Sequence, residues 1–121
     1  MEKTVLIVDD SASLRQLVVL ALKGSGFRVV EATDGVDGLA KLDGGRVHLI
    51  ISDVNMPNMD GLTFLKEVKK RPDTRFTPVI MLTTESAADK KEEGRAAGAK
   101  AWVVKPFQPQ QMLAAVNKLI Q

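Results

Sequence analysis

The sequence predicts an α/β fold: five βα units forming an open parallel sheet, with helices on both faces. Three observations predict it. Short β-rich runs recur at Thr4–Val8, Arg28–Ala32, Leu49–Ser52, Val79–Leu82 and Ala101–Val104. Amphipathic stretches with helical spacing separate them. Three of the runs are nearly continuous in apolar residues rather than alternating, as expected for strands buried on both sides. Repeated βα alternation implies right-handed crossovers and a parallel sheet.

Each helix has its own signals. Leu14, Leu17, Val18, Ala21 and Leu22 follow the i, i+3, i+4, i+7, i+8 stripe, and Ser13 with Gln16 has the spacing of a capping box. Asp34 and Asp60 are placed to cap the second and third helices. Phe64, Leu65 and Val68 form the third stripe, with Lys66, Glu67, Lys69 and Lys70 facing water. Met112, Val116, Leu119 and Ile120 form the last, and Pro109 suits its first turn. Gly24–Gly26, Gly44–Gly45 and Gly98 read as helix exits. Gly24-Ser25-Gly26 follows a helix instead of opening one, so it is no dinucleotide fingerprint.

Length and composition bound the function. The chain has 121 residues, which is one domain spanning 1–121 with no room for a separate output domain. Seventeen Lys and Arg against fifteen Asp and Glu give a net charge of +2, too balanced for bulk attraction to nucleic acid or membrane. Aromatics are 4% and scattered, so no stacking surface for single strands assembles. The absence of cysteine excludes disulfides, thiolate metal sites and cysteine nucleophiles. No apolar stretch approaches the ~20 residues of a membrane span, and Asp9-Asp10 cut short the first apolar run before it could serve as a signal peptide. The expectation is a monomeric cytoplasmic domain.

Polar residues fall where the strands end: Asp9 and Asp10 after the first, Asp53 after the third, Thr83 and Thr84 after the fourth, Lys105 and Pro106 after the fifth. Open α/β sheets bind ligands outside the carboxyl ends of their strands, where strand order reverses. In the order 2-1-3-4-5 that point lies between the first and third strands, which collects Asp9, Asp10 and Asp53. With strands about 4.8 Å apart, Thr83 sits one strand away, and the Lys105 Cα lies roughly 10 Å from Asp53. Three neighbouring carboxylates repel one another. A hard cation such as Mg2+ offsets this and leaves positions open for phosphate oxygens. One carboxylate is then placed to attack a phosphoryl group. The cation, the Lys105 charge and the Thr83 hydroxyl would meet its three oxygens.

With VLIVDDS at the start, DVNMPNMDG in the middle, then MLTTE and KPF, the chain resembles the receiver domain of two-component response regulators. Within that family it is similar to the single-domain chemotaxis, or CheY-like, type, and the resemblance covers essentially the whole chain. It implies a flavodoxin-like fold with Asp53 as phosphoacceptor. It also implies Mg2+ held by Asp9, Asp10, Asp53 and the Asn55 backbone carbonyl. By resemblance, Thr83 and Lys105 contact the phosphoryl group and the Lys105–Pro106 bond is cis. The donor is a phosphohistidine on a chemotaxis-type sensor histidine kinase, and the receiver catalyses its own phosphorylation and dephosphorylation without being an enzyme of metabolism. A flagellar motor switch protein or a phosphatase is the partner class implied. By resemblance, Asn55 and Glu85 occupy positions that tune acyl-phosphate lifetime, and Thr84, larger than the usual Ala or Gly there, partly hinders access to the phosphate. Trp102 stands where the family couples an aromatic to Thr83, but the usual occupants are Tyr or Phe, and indole donates only through its N–H.

Plainer roles suit other residues. His48 enters the third strand at the end away from the acids and reads as structural. Lys90-Lys91-Glu92-Glu93 reads as a solvated helix face. Met56 and Met59 read as packing residues. Competing functions are weaker. A phosphate sink or adaptation regulator would share every motif. A small-molecule phosphotransferase or phosphatase needs a substrate cap that the chain is too short to supply. A flavin carrier needs a neutral phosphate loop where Asp9 and Asp10 stand.

Overall fold

A computed structural model describes residues 2–83 and 88–120. The elements alternate as expected: β1 (Thr4–Val8), α1 (Ala12–Gly24), β2 (Arg28–Ala32), α2 (Gly35–Leu42), β3 (Leu49–Asp53), α3 (Gly61–Lys70), β4 (Val79–Thr83), α4 (Ala88–Ala96), β5 (Ala101–Val104) and α5 (Pro109–Leu119). The strands form one parallel sheet in the order β2-β1-β3-β4-β5. β3 and β4 each run one residue further than the apolar pattern suggests. Asp53 and Thr83 are therefore strand residues, paired with Leu82 and Val104.

The continuous apolar runs are explained by two cores. Successive strand side chains point to opposite faces. Val5, Ile7, Leu49, Ile51, Ile80, Leu82 and Val103 pack on one side with Val18, Val19 and Leu22 of α1 and Met112 and Val116 of α5. Leu6, Val8, Ile50, Val79 and Met81 pack on the other with Leu42 of α2 and Phe64, Leu65 and Val68 of α3. Phe64 and Leu65 are fully buried, each worth about 1.5–3 kcal/mol of transfer free energy.

Asp34 and Asp60 cap α2 and α3 as expected, accepting from Asp37 N and Thr63 N at 2.8 Å. Pro109 opens α5. Two helix expectations are corrected. The N-cap of α1 is Ser11, whose hydroxyl accepts from Leu14 N at 3.3 Å, while Ser13 lies inside the helix. The buried stripe of α1 runs through Val18, Val19 and Leu22, leaving Leu17 42% exposed. Its stripe has slipped because α1 seats on both the sheet and α5, with Val19 turned in. Lys69 is also corrected: its ammonium, half-buried, donates to Thr77 O at 2.7 Å and Arg75 O at 3.2 Å. It closes the turn after α3 rather than facing water. Gly98 leaves α4 with φ +110°, a conformation that suits glycine.

Candidate functional site

The strand ends bring the acids together. Asp9 is fully buried, Asp53 is 6% exposed, and Asp10 points outward. Each offers a carboxylate oxygen within 4.8 Å of the other two. Asp9 is fixed by Ser11 N, which donates to its Oδ1 at 2.8 Å. Arg15 Nη1 donates to the Asp9 carbonyl at 2.6 Å and its Nε pairs with Glu31 at 3.2 Å, so α1 is tied to the end of β1. Asp53 Oδ1 accepts from Val54 N at 2.9 Å.

Lys105 reaches across the sheet as expected. Its ammonium lies 2.9 Å from Asp53 Oδ1 and 3.3 Å from Asp9 Oδ2. Burial pulls its pKa down, but the hydrogen bond and charge of Asp53, and then those of Asp9, outweigh this and hold it above the ordinary lysine value. Burial pushes Asp9 up. The Ser11 N–H and Lys105 oppose the rise and the Asp53 charge adds to it, so its carboxyl ends above the ordinary range. One cation therefore bridges two of three carboxylates without restoring Asp9 to an ordinary acidity. An oxygen-only donor set with this residual repulsion fits a hard divalent cation.

Thr83 ends β4, 4% exposed, and its carbonyl accepts from Lys105 N at 2.7 Å. The Lys105–Pro106 bond is cis. Asn55 lies exposed in the loop after β3. Thr84 and Glu85 lie outside the described residues. Trp102, paired with Met81, packs half-buried against the α2–α3 core. His48 accepts from Thr4 N at 3.0 Å through Nδ1, the structural role expected of it. Met56 and Met59 pack against the same core as Trp102. Lys91, Glu92 and Glu93 are exposed.

Three supports of the site escape sequence reasoning. Gly61 opens α3 directly against the strand end: a Cβ there would overlap the Asp53 carbonyl and meet Val54 Cα at 2.8 Å. Asn58, at φ +66°, donates from Nδ2 to Asp34 Oδ2 at 2.7 Å and fastens the loop after β3 to the cap of α2. Gly94 makes room on α4 for the Trp102 indole. A glycine inside a helical stretch was the one available signal for the last of these.

The strand order β2-β1-β3-β4-β5, with three acids, Thr83 and Lys105 at its carboxyl ends, defines a flavodoxin-like α/β protein of the receiver type. The response regulator receiver domain profile matches residues 5–117, and the chain belongs to that family. It is 46% identical to the chemotaxis response regulator CheY4 of Vibrio cholerae, with 99% of this chain and 100% of that chain covered and a TM-score of 0.93. It is 32% identical to the signal receiver domain of a signal transduction histidine kinase from Syntrophus aciditrophicus, covering 97% and 89% with a TM-score of 0.89. Across all 121 residues it is 31% identical to the phosphate regulon transcriptional regulatory protein PhoB of Escherichia coli K12, of which it spans 53%. The chain thus covers about half the length of that curated relative. No helix among the described residues is long and apolar enough to cross a membrane.

Proposed function

We propose that Asp53 accepts a phosphoryl group from a phosphohistidine of a sensor histidine kinase, and that the acyl phosphate changes which partners the domain binds. The observation that carries this reading is the Lys105 ammonium between Asp53 and Asp9, inside a cluster of three carboxylates at the strand ends. An Asp53 oxygen attacks phosphorus and an O–P bond forms. The P–N bond breaks, and its electron pair leaves with the imidazole nitrogen, which takes a proton from water. Lys105 Nζ transfers its pairing from the carboxylate to a phosphoryl oxygen, and the Thr83 hydroxyl donates to another. Asp9, Asp10, Asp53 and the Asn55 backbone carbonyl would hold Mg2+, which when bound neutralises charge on the phosphoryl oxygens. Attack of water on phosphorus later releases inorganic phosphate and restores the carboxylate.

Likeness to a chemotaxis response regulator supports a chemotaxis setting, with a flagellar motor switch protein or a phosphatase as the class of partner. Trp102 on β5 and Pro106 after Lys105 are the residues through which we propose that phosphorylation shifts a two-state equilibrium.

The test is phosphotransfer from a purified phosphohistidine kinase domain. Rapid Mg2+-dependent transfer to the chain, abolished by Asp53→Asn and slowed by Lys105→Ala, is expected. Transfer that survives Asp53→Asn overturns the assignment.

A further inference from the structure

The end of the sheet opposite the carboxylates carries the reverse charge. Lys3 precedes β1, Arg28 opens β2, and Arg46 and His48 lead into β3. Lys3, Arg46 and His48 line one groove of about 270 Å3, together with Phe76, Ile120 and Asp73. Arg46 also lines an adjoining groove of about 260 Å3 with Arg28. Among the described residues, no ion pair engages Lys3, Arg28 or Arg46. The acid of the first groove is already committed: Asp73 takes Arg71 Nε at 3.2 Å and Nη2 at 3.3 Å. Crowding of positive charge is visible at His48, whose pKa is lowered first by burial and then by Arg46 and Lys3.

A second observation is independent of charge. Phe76, on the groove, is 81% exposed, the most exposed large hydrophobic side chain among the described residues. The Arg75 guanidinium lies 4.6 Å over its ring, a cation–π contact that adds positive charge beside the exposed aromatic. An exposed aromatic beside arginines is the composition of a protein-binding hot spot.

We propose that this basal groove docks an acidic peptide segment of a partner protein, with a bulky apolar residue of that segment seated on Phe76 and flanking carboxylates paired with Lys3 and Arg46. Charge complementarity selects the sign of the partner, and the apolar wall selects a peptide over a polyphosphate. A nucleic-acid duplex gains its affinity from about 6–10 phosphate contacts. Here three unpaired cations converge on short grooves, with Asp73 among the lining residues. Docking at this end is separated from Asp53 by the length of a strand, about 16 Å. It therefore tethers a partner whether or not the carboxylate end is modified, and it stands independently of the phosphoacceptor reading.

The test is fluorescence anisotropy with a short labelled peptide alternating glutamates with leucine and phenylalanine. The full chain should bind it in a salt-sensitive manner. Arg46→Glu and Phe76→Ala should each weaken binding about tenfold, while the melting temperature and Trp102 emission stay unchanged. Asp53→Asn should bind as tightly as the parent. Absence of binding overturns the proposal, as does equal affinity for a glutamine-substituted peptide. Tighter Arg46-dependent binding of a DNA duplex would assign the groove to nucleic acid instead.

Discussion

Gly94 of α4 lies flush against the indole of Trp102: a Cβ added there would meet Cη2 at 2.9 Å and Cζ2 more closely still. The same indole buries Nε1 without a hydrogen-bond partner among the described residues. An orphaned buried donor costs about 1–3 kcal/mol, so the ring is held by packing rather than by polar contact. Gly94 is thus the space that a Trp at this position requires.

This pair predicts a sign reversal. Gly94→Ala gains about 1 kcal/mol of helix propensity but overpacks the indole at about 1–3 kcal/mol. It should destabilise the parent chain in denaturant titration, yet stabilise a Trp102→Phe variant by about 1 kcal/mol. The same sign in both backgrounds would show that the two residues are uncoupled.

Asp9 predicts that one substitution stabilises the fold while removing metal binding. Its folded pKa lies above the ordinary 3.8, mainly through burial. Its contribution to stability is therefore full below that ordinary value and lost as pH rises through the folded value. At neutral pH the buried charge opposes folding. Asp9→Asn should raise the melting temperature of the metal-free protein by a few degrees and abolish the further rise that millimolar Mg2+ gives the parent. A lower melting temperature, or an intact Mg2+ response, contradicts this account of the cluster.

Much of this site was legible in the sequence. Asp9, Asp10, Asp53, Thr83 and Lys105 are found by asking what stands at the carboxyl end of each apolar run, because a parallel sheet forces those ends together. What was not legible depends on packing between elements distant in sequence. Ser11 and Ser13 are equally good caps until α1 has a seat. Lys69 reads as surface until the turn after α3 folds back over it. Asn58 looks like any loop residue until α2 brings Asp34 within 2.7 Å.

That Asn58–Asp34 bond predicts an effect on metal affinity. Asn58→Gly keeps the positive φ and deletes the clamp on the loop that carries Asn55. The bond does not touch a ligand, so its effect on affinity comes through the position of the loop and falls at or below the roughly tenfold that hydrogen bonds made directly to ligands supply. A Mg2+ titration followed by Trp102 fluorescence should show weaker binding, and the lost bond to the Asp34 carboxylate should lower metal-free stability by about 1–3 kcal/mol. An unchanged Mg2+ midpoint would reduce the clamp to a loop ornament.

His48 predicts a pH dependence away from the acids. Its pKa is lowered from 6.5, first by burial and then by Arg46 and Lys3. A depressed pKa means that its contribution to stability is full above 6.5 and is lost as pH falls through the folded value. Protonated Nδ1 no longer accepts the Thr4 N–H. Stability should fall on acidification from pH 7 toward 5, and His48→Gln should flatten that slope. An identical slope in the variant would place the titrating group elsewhere.

The central claim is that Asp53 carries the phosphoryl group. Treatment with acetyl phosphate and Mg2+, followed by borohydride reduction of the acyl phosphate and mass mapping of peptides, reads the acceptor directly. Conversion of Asp53 alone to homoserine is the predicted result. Reduction at Asp9 or Asp10 instead, or a stable phosphoryl group on His48, would contradict it.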